Sequence, residues 1–292
     1  MESLFSPIHN QHIWAHELIK KYNMTKNQYY YMAVIMRQSL DYAIDLGLIE
    51  VNPFSLIKID GKRLFRKTKK KPDETQVFFH EELEQLVKMT WKDFHNRTKW
   101  YELAPLAVLF QFQTGVRIGE LCVVRYQDIE SPDYIHIQRM FRRDTKEVVE
   151  HTKSGYGDRQ VILTATAKKI IEAAKQRQVE LGADCTGYIF STNNLPLSYR
   201  SVSDLYRKYS RKLGTIQKSS HKARKTFISA LLDGQININT VREIVGHSDE
   251  RTTLGNYCFD RHTYSEKLNM IENALISQKI SFVCKKYSSV FK

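Results

Sequence analysis

The 292 residues include 45 Lys and Arg against 32 Asp and Glu, a formal charge of +13, with 42% hydrophobic and 26% charged residues. This composition suits one sizeable core plus a smaller domain and excludes a disordered chain. The cationic excess points to a polyanionic partner, because Lys and Arg that neutralise phosphates release counterions; a basic surface that serves only solubility is the plain alternative.

The four cysteines, Cys122, Cys185, Cys258 and Cys284, form no C-x-x-C pair. They imply a reducing cytosol, and neither a disulfide framework nor structural zinc spacing is present. Met1 to Pro7 has no basic n-region or apolar h-region, so no signal peptide is expected. No run approaches the roughly 20 apolar residues that span a bilayer. A cytoplasmic, nucleoid-associated protein with no membrane contact is the expectation.

In chain order, a short helix is expected over Ile13 to Tyr22. Thr25 with Gln28 makes a capping box for a second helix reaching Leu46, its apolar face formed by Met32, Ile35, Met36, Leu40, Ala43 and Ile44. Gly47 ends it and Asn52-Pro53 marks the exit. Two helices bury little alone, so residues 1–60 read as part of a small helical domain rather than a complete one. Residues 61–77 read as a basic linker carrying Lys62, Arg63, Arg66, Lys67, Lys69, Lys70 and Lys71. A solvated charge run is the ordinary reading of such a stretch, and a linker tracking a DNA backbone the functional one.

The larger domain spans 78–292. Helices are expected over Glu81 to Met89 and Trp100 to Gln113, the latter with Leu103, Leu106, Ala107 and Phe110 inward, broken at Thr114-Gly115 and restarting at Arg117. Three short strands follow, Tyr134 to Arg139, Glu147 to Lys153 and Arg159 to Leu163. Helices then cover Ala165 to Leu181, Ser201 to Leu213, His221 to Leu232, Asn239 to Val245 and Thr263 to Ser277. The fold class is mainly α with a small antiparallel sheet.

Six residues, with Glu120 in support, could carry chemistry, and most have a bland alternative. Arg117, at a helix restart, can fork onto two phosphate oxygens with Glu120 bracing it, or be a surface pair. His221 and Arg224 share a helix face beside backbone N–H groups that favour an anion, or are a capping His and an exposed Arg. His247 follows Gly246 at the end of an apolar helix face. Tyr257 needs a neighbouring base and a neutralised phosphate to attack, and is otherwise one of 16 tyrosines. Lys153, before a Ser-Gly turn, could protonate a leaving oxygen or be simply a basic turn residue.

The order Arg117-x-x-Glu120, hairpin Lys153, His221-x-x-Arg224, Gly246-His247, Tyr257 resembles the tyrosine recombinase (phage integrase) family over residues 78–262, in particular integrases of temperate phages and conjugative transposons. The resemblance implies that Tyr257 attacks a DNA phosphate to form a 3′-phosphotyrosyl link. It implies that Arg117 and Arg224 clamp the non-bridging oxygens and Lys153 protonates the 5′ oxygen. His221 would assist proton transfer, His247 bond the phosphate, and Glu120 support Arg117 and His221. It implies no metal, cofactor or ATP. Its implied partners are double-stranded DNA, a homotetramer on paired sites through the amphipathic helix 263–277 (Leu268, Ile271 and Leu275), and DNA-bending or excision accessory proteins.

Two departures stand out. Only two helices precede Gly61 where the family carries four or five, so a truncated, mis-started or reduced form is expected. Lys225 stands where the family often has His. A type IB topoisomerase and a non-catalytic DNA-binding remnant remain alternatives to a recombinase that integrates or excises a mobile element.

Overall fold

The computed structural model describes residues 8–55, 57, 59, 64–69, 71–96, 103–249, 255 and 259–277. Tyr257, Cys258, Cys284, Lys62, Arg63 and Lys70 therefore lie outside the described residues, as does the side chain of Leu275. The chain divides into two compact units, Met1–Lys70 and Lys71–Lys292.

The first unit is built on α1 (Ile8–Lys21) and α2 (Lys26–Asp45). Thr25 caps α2 reciprocally: its hydroxyl accepts from the Gln28 N–H at 3.3 Å, and the Gln28 side chain accepts from the Thr25 N–H at 2.9 Å. The core comprises Ala15, Ile19, Tyr29, Ala33, Phe54 and Ile57, with Met32, Met36 and Leu40 against it. Ile35, expected on the inner face, is 63% exposed. The inner stripe runs through Tyr29, Ala33, Met36 and Leu40, and a residue two positions after Ala33 points to the opposite side. Asn52 folds the exit back onto α2, donating to Arg37 O at 3.0 Å and accepting from Phe54 N–H at 2.9 Å. Leu64 and Phe65 pack on this core, and Arg66 N–H donates to Met24 O at 2.9 Å.

The second unit is organised around α4 (Ala104–Thr114), whose residues are almost all buried. A helix apolar all round must be enclosed, and α4 is surrounded by α3 (His80–His95), α6 (Ala165–Glu180), α7 (Tyr199–Lys212) and α8 (Ser220–Asp233). α3 continues past the expected Met89 because Leu86, Thr90 and Phe94 keep one stripe buried for two more turns. Gln111, the polar residue inside this core, is satisfied by Val116 O at 2.7 Å, by the Ser220 hydroxyl and by Tyr206 Oη at 2.7 Å. It thus ties α4 to α7, α8 and the loop after α4.

After the four-residue α5 (Ile118–Leu121) the chain forms β1 (Ile129–Ser131), β2 (Tyr134–Ile137), β3 (Met140–Phe141), β4 (Val148–Val149) and β5 (Arg159–Ile162). β1-β2-β5 make an antiparallel sheet with Ile135 opposite Val161, while β3-β4 form a separate ribbon. Where three strands were expected there are five. The expected second strand shrinks to β4, so Lys153 lies in the turn beyond it. The buried pair of Arg139 and Asp128, extended by Glu150 at 2.8 Å, lies in the gap between β2 and β3. α9 (Ile238–Val245) and α10 (Tyr264–Ser277) complete the helices described here.

Candidate active site

Two left-handed glycines set the backbone of the site. Gly115 (φ +63°) caps α4, and a Cβ there would lie 2.2 Å from the Phe227 ring. Gly246 (φ +67°) caps α9, and a Cβ there would lie 2.5 Å from Tyr156 O. Both conformation and space call for glycine. The first turn delivers Arg117 and the second His247.

Arg117 is the N-cap of α5. Its Nη1 donates to Glu120 Oε1 at 2.8 Å, its backbone N–H to Glu120 Oε2 at 2.8 Å, and its Nη2 to Gly246 O at 3.1 Å. Glu120 is buried and held from the other side by Arg159, whose Nη1 and Nη2 donate to it at 3.2 and 2.9 Å. Burial alone would raise the Glu120 pKa. The Arg159 guanidinium, joined by Arg224 and Arg117, overcomes this and holds it at about 2. Arg159 also donates from Nε to Ile244 O and from Nη1 to Gly157 O, both at 2.7 Å. It therefore orients the neighbouring groups and has no fork left for a ligand.

Arg159 was not among the residues singled out in the sequence. The available signal was parity: Arg159 and Val161 are the inward positions of β5, and an arginine on the buried face of a strand needs a partner.

Arg224, on α8, is 2% exposed. Its guanidinium donates to Gly115 O at 2.6 Å and to Val245 O, and its Nη2 lies 3.2 Å from His247 Nε2. A guanidinium only donates, so Nε2 of His247 accepts and the neutral ring carries its proton on Nδ1. Burial, then the charges of Arg224, Arg117, Arg159 and His221, push His247 down to about 3. His221 keeps an exposed edge at the start of α8. Desolvation of the rest of its ring, followed by the charges of Lys225, Arg224, Lys222 and Arg117, brings it to about 4. Both rings are neutral at pH 7, one able to donate and the other to take a proton.

Of the sequence-derived set, Arg117, Glu120, His221, Arg224 and His247 thus come together. Lys153 is exposed in the turn after β4, and among the described residues no hydrogen bond or ion pair joins it to them. Arg66, Lys67, Lys69 and Lys71 are exposed. A groove of about 1450 Å³ opens over Arg117, His221 and Arg224 and is flanked by Arg143, Lys146, Arg200 and Arg207. Fixed guanidinium donors on a basic groove are suited to hold a phosphodiester and stabilise added negative charge on it.

The protein is 24% identical over 248 residues to the tyrosine recombinase XerC-like protein of Caldanaerobacter subterraneus subsp. tengcongensis, covering 76% of this chain and 59% of the relative. It is 25% identical over 206 residues to the integrase of Staphylococcus phage L54a, covering 63% and 56%. The chain therefore spans less than two thirds of the length of either relative. Among solved structures it resembles the Tn1549 transposon integrase in complex with transposon right end DNA, with a TM-score of 0.64 and 16% identity, covering 94% of this chain and 87% of that one. That likeness shows the fold. The family model described as the phage integrase family matches residues 67–263, more than half of the chain and all of the cradle just described, and the chain belongs to that family.

Proposed function

We propose that the protein is a site-specific DNA recombinase that cleaves and rejoins double-stranded DNA through a 3′-phosphotyrosyl intermediate, integrating or excising a mobile element. The observation that carries this reading is the pair of fixed guanidiniums, Arg117 and Arg224, meeting beside His247 at the floor of a basic groove. Arg117 and Arg224 clamp the non-bridging oxygens, and His247 donates to one of them. His221 takes the phenolic proton of Tyr257 as its oxygen bonds to phosphorus. The bond to the 5′ oxygen breaks, and Lys153 protonates that oxygen to release a 5′-hydroxyl. Attack by another 5′-hydroxyl reverses the steps, so the phosphodiester is conserved without metal, cofactor or ATP. Glu120 keeps Arg117 in place.

The DNA-bound state of the Tn1549 integrase supports duplex DNA as the partner. In this reading residues 1–60 are a partial core-binding domain and the basic residues of 61–77 track the backbone. The family relationship supports a tetramer on paired sites joined through α10. The exposure of Leu268 and Ile271 on that helix fits a second copy as the partner. DNA-bending or excision proteins assist, and the work is done at the nucleoid in the cytoplasm.

The test is a covalent-adduct assay with nicked duplexes from the ends of the host element, resolved on a denaturing gel. Wild type forms the adduct, whereas Tyr257→Phe binds DNA equally and forms none. An adduct with the Phe variant overturns the assignment of the nucleophile, and wild-type binding without an adduct overturns catalysis by this chain.

A further inference from the structure

β3 and β4 form a two-stranded ribbon separate from the β1-β2-β5 sheet. Its base is anchored: Phe141 and Val148 pack against the core of the second unit, and Arg142 N–H donates to Glu147 O at 2.8 Å to close the turn. β3 also lies against α5, where a Cβ at Gly119 would meet Phe141 O at 2.9 Å. The ribbon is thereby tied to the short helix that Arg117 caps and that contains Glu120. Its turn, residues 143–146, brings Arg143 and Lys146 to the wall of the groove over the cradle.

The arginines around this turn and groove are engaged differently. Arg142 pairs with Asp144 at 2.6 Å, and Arg200 and Arg207 both reach Asp204, at 3.6 and 2.8 Å. Arg143 has no such partner: among the described residues no hydrogen bond or ion pair engages it. Its guanidinium lies instead over the ring of Tyr199, the first residue of α7, 5.4 Å from the centroid. Tyr199 is itself half-buried against the core. The ring face attracts the cation without accepting any of its five N–H groups. Arg143 therefore stands oriented and exposed on the groove wall, with its fork unspent.

We propose that Arg143 reads a guanine in the major groove of the bound duplex, donating to its O6 and N7. This rests on the DNA-binding reading above and adds sequence readout to it. The two acceptors lie side by side on the guanine edge and match a planar guanidinium fork. The major groove admits a two-stranded ribbon, whereas the minor groove, at about 6 Å, is half as wide. Because β3 lies against α5, the base that is read sits at a set distance along the duplex from the phosphate held at Arg117. Cradle contacts to phosphate carry no sequence, so a base contact from the neighbouring ribbon is what selects the site of cleavage.

The experiment is selection from a library of randomised duplexes by wild type and by Arg143→Ala, followed by fluorescence anisotropy on the selected duplex at fixed salt. Wild type enriches a guanine at one position where the variant enriches none. Replacing that guanine by adenine weakens wild-type binding by about 5- to 150-fold and leaves the binding of the variant unchanged. Replacing it by 7-deazaguanine, which has C–H in place of N7, also weakens wild type alone. The variant loses only an exposed side chain, and its binding to a mixed-sequence duplex shows that it is folded. Enrichment of the same guanine by the variant overturns the readout, as does binding by wild type with no enriched position. An equal loss on every duplex, with the slope of log affinity against log salt reduced by about 1, makes Arg143 a phosphate contact and overturns it too. All three leave the DNA reading standing, whereas a wild type that binds no duplex in the library removes that reading itself.

Discussion

The phosphate cradle and the turn that carries Lys153 meet at Gly157, yet they are held in opposite ways. On one side Arg159, Glu120 and Arg117 are locked by hydrogen bonds to one another, and the three arginines, Arg224 included, to five backbone carbonyls, those of Gly115, Gly157, Ile244, Val245 and Gly246. On the other, the turn is fixed at its base, where Thr152 Oγ1 donates to Ser154 O at 2.7 Å and Gly157 packs against Thr152, while the Lys153 side chain stands in solvent. The difference suits the two tasks proposed for them. Charge stabilisation works best with donors already in place, because reorganising them costs energy at the transition state. Proton delivery works with a group that can reach the leaving atom when it needs the proton.

Folding stability is the first way to break this comparison, and its largest effect belongs to Arg159. Arg159→Ala leaves the buried Glu120 with Arg117 as its remaining partner among the arginines that bond it, and loss of one partner of a buried ion pair costs up to about 3–5 kcal/mol. Urea unfolding of the variant measures this, and a loss below about 1 kcal/mol would show that the cradle is not locked as described.

Acid comes next. His247 is held at about 3, below its unfolded value of about 6.5, so the unfolded chain binds the extra proton. Its contribution to stability is full above about pH 6.5 and is lost as pH falls toward 3, amounting to about 2 kcal/mol between pH 7 and pH 5. Glu120, depressed to about 2, adds a further loss below about pH 4. Thermal melts at pH 7 and pH 5 should therefore differ more for wild type than for His247→Asn, and equal differences would contradict the buried neutral ring.

The smallest effect on stability is expected on the open side. Lys153→Ala changes unfolding free energy by less than about 0.5 kcal/mol. Cleavage by the same variant falls by about 10²–10⁴-fold, the range for loss of a general acid. A duplex with sulfur at the 5′ bridging position restores cleavage, because a thiolate leaves without a proton. No restoration would remove Lys153 from the proton-donor role.

How much of this was legible in the sequence varies with the range of the interaction. The Thr25–Gln28 cap, α8 and α9 could be read because their signals lie within a few residues of one another. The convergence of Arg117, Glu120, His221, Arg224 and His247 agrees with the order of their motifs along the chain. What escaped depends on distant partners. Ile35 was placed inward until Phe54 and Ile57 fixed which stripe of α2 is covered. The strand before Lys153 is shorter than its sequence pattern implies: it ends at Val149, and the Glu150 carboxylate pairs with Arg139, 11 residues away. Arg159 was read only as the start of a strand, since its carboxylate lies 39 residues away.

Arg117 reaches across 129 residues to the carbonyl of Gly246. Because the ribosome makes the chain from its N-terminus, Arg117 and Glu120 emerge long before the carbonyl that completes their setting. A nascent chain halted before α9 already carries Arg117 and Glu120 but lacks the Gly246 carbonyl that fixes the Arg117 guanidinium. The complete cradle therefore forms only once α9 has been made, and on the proposed reading a chain halted earlier lacks the means to cut DNA.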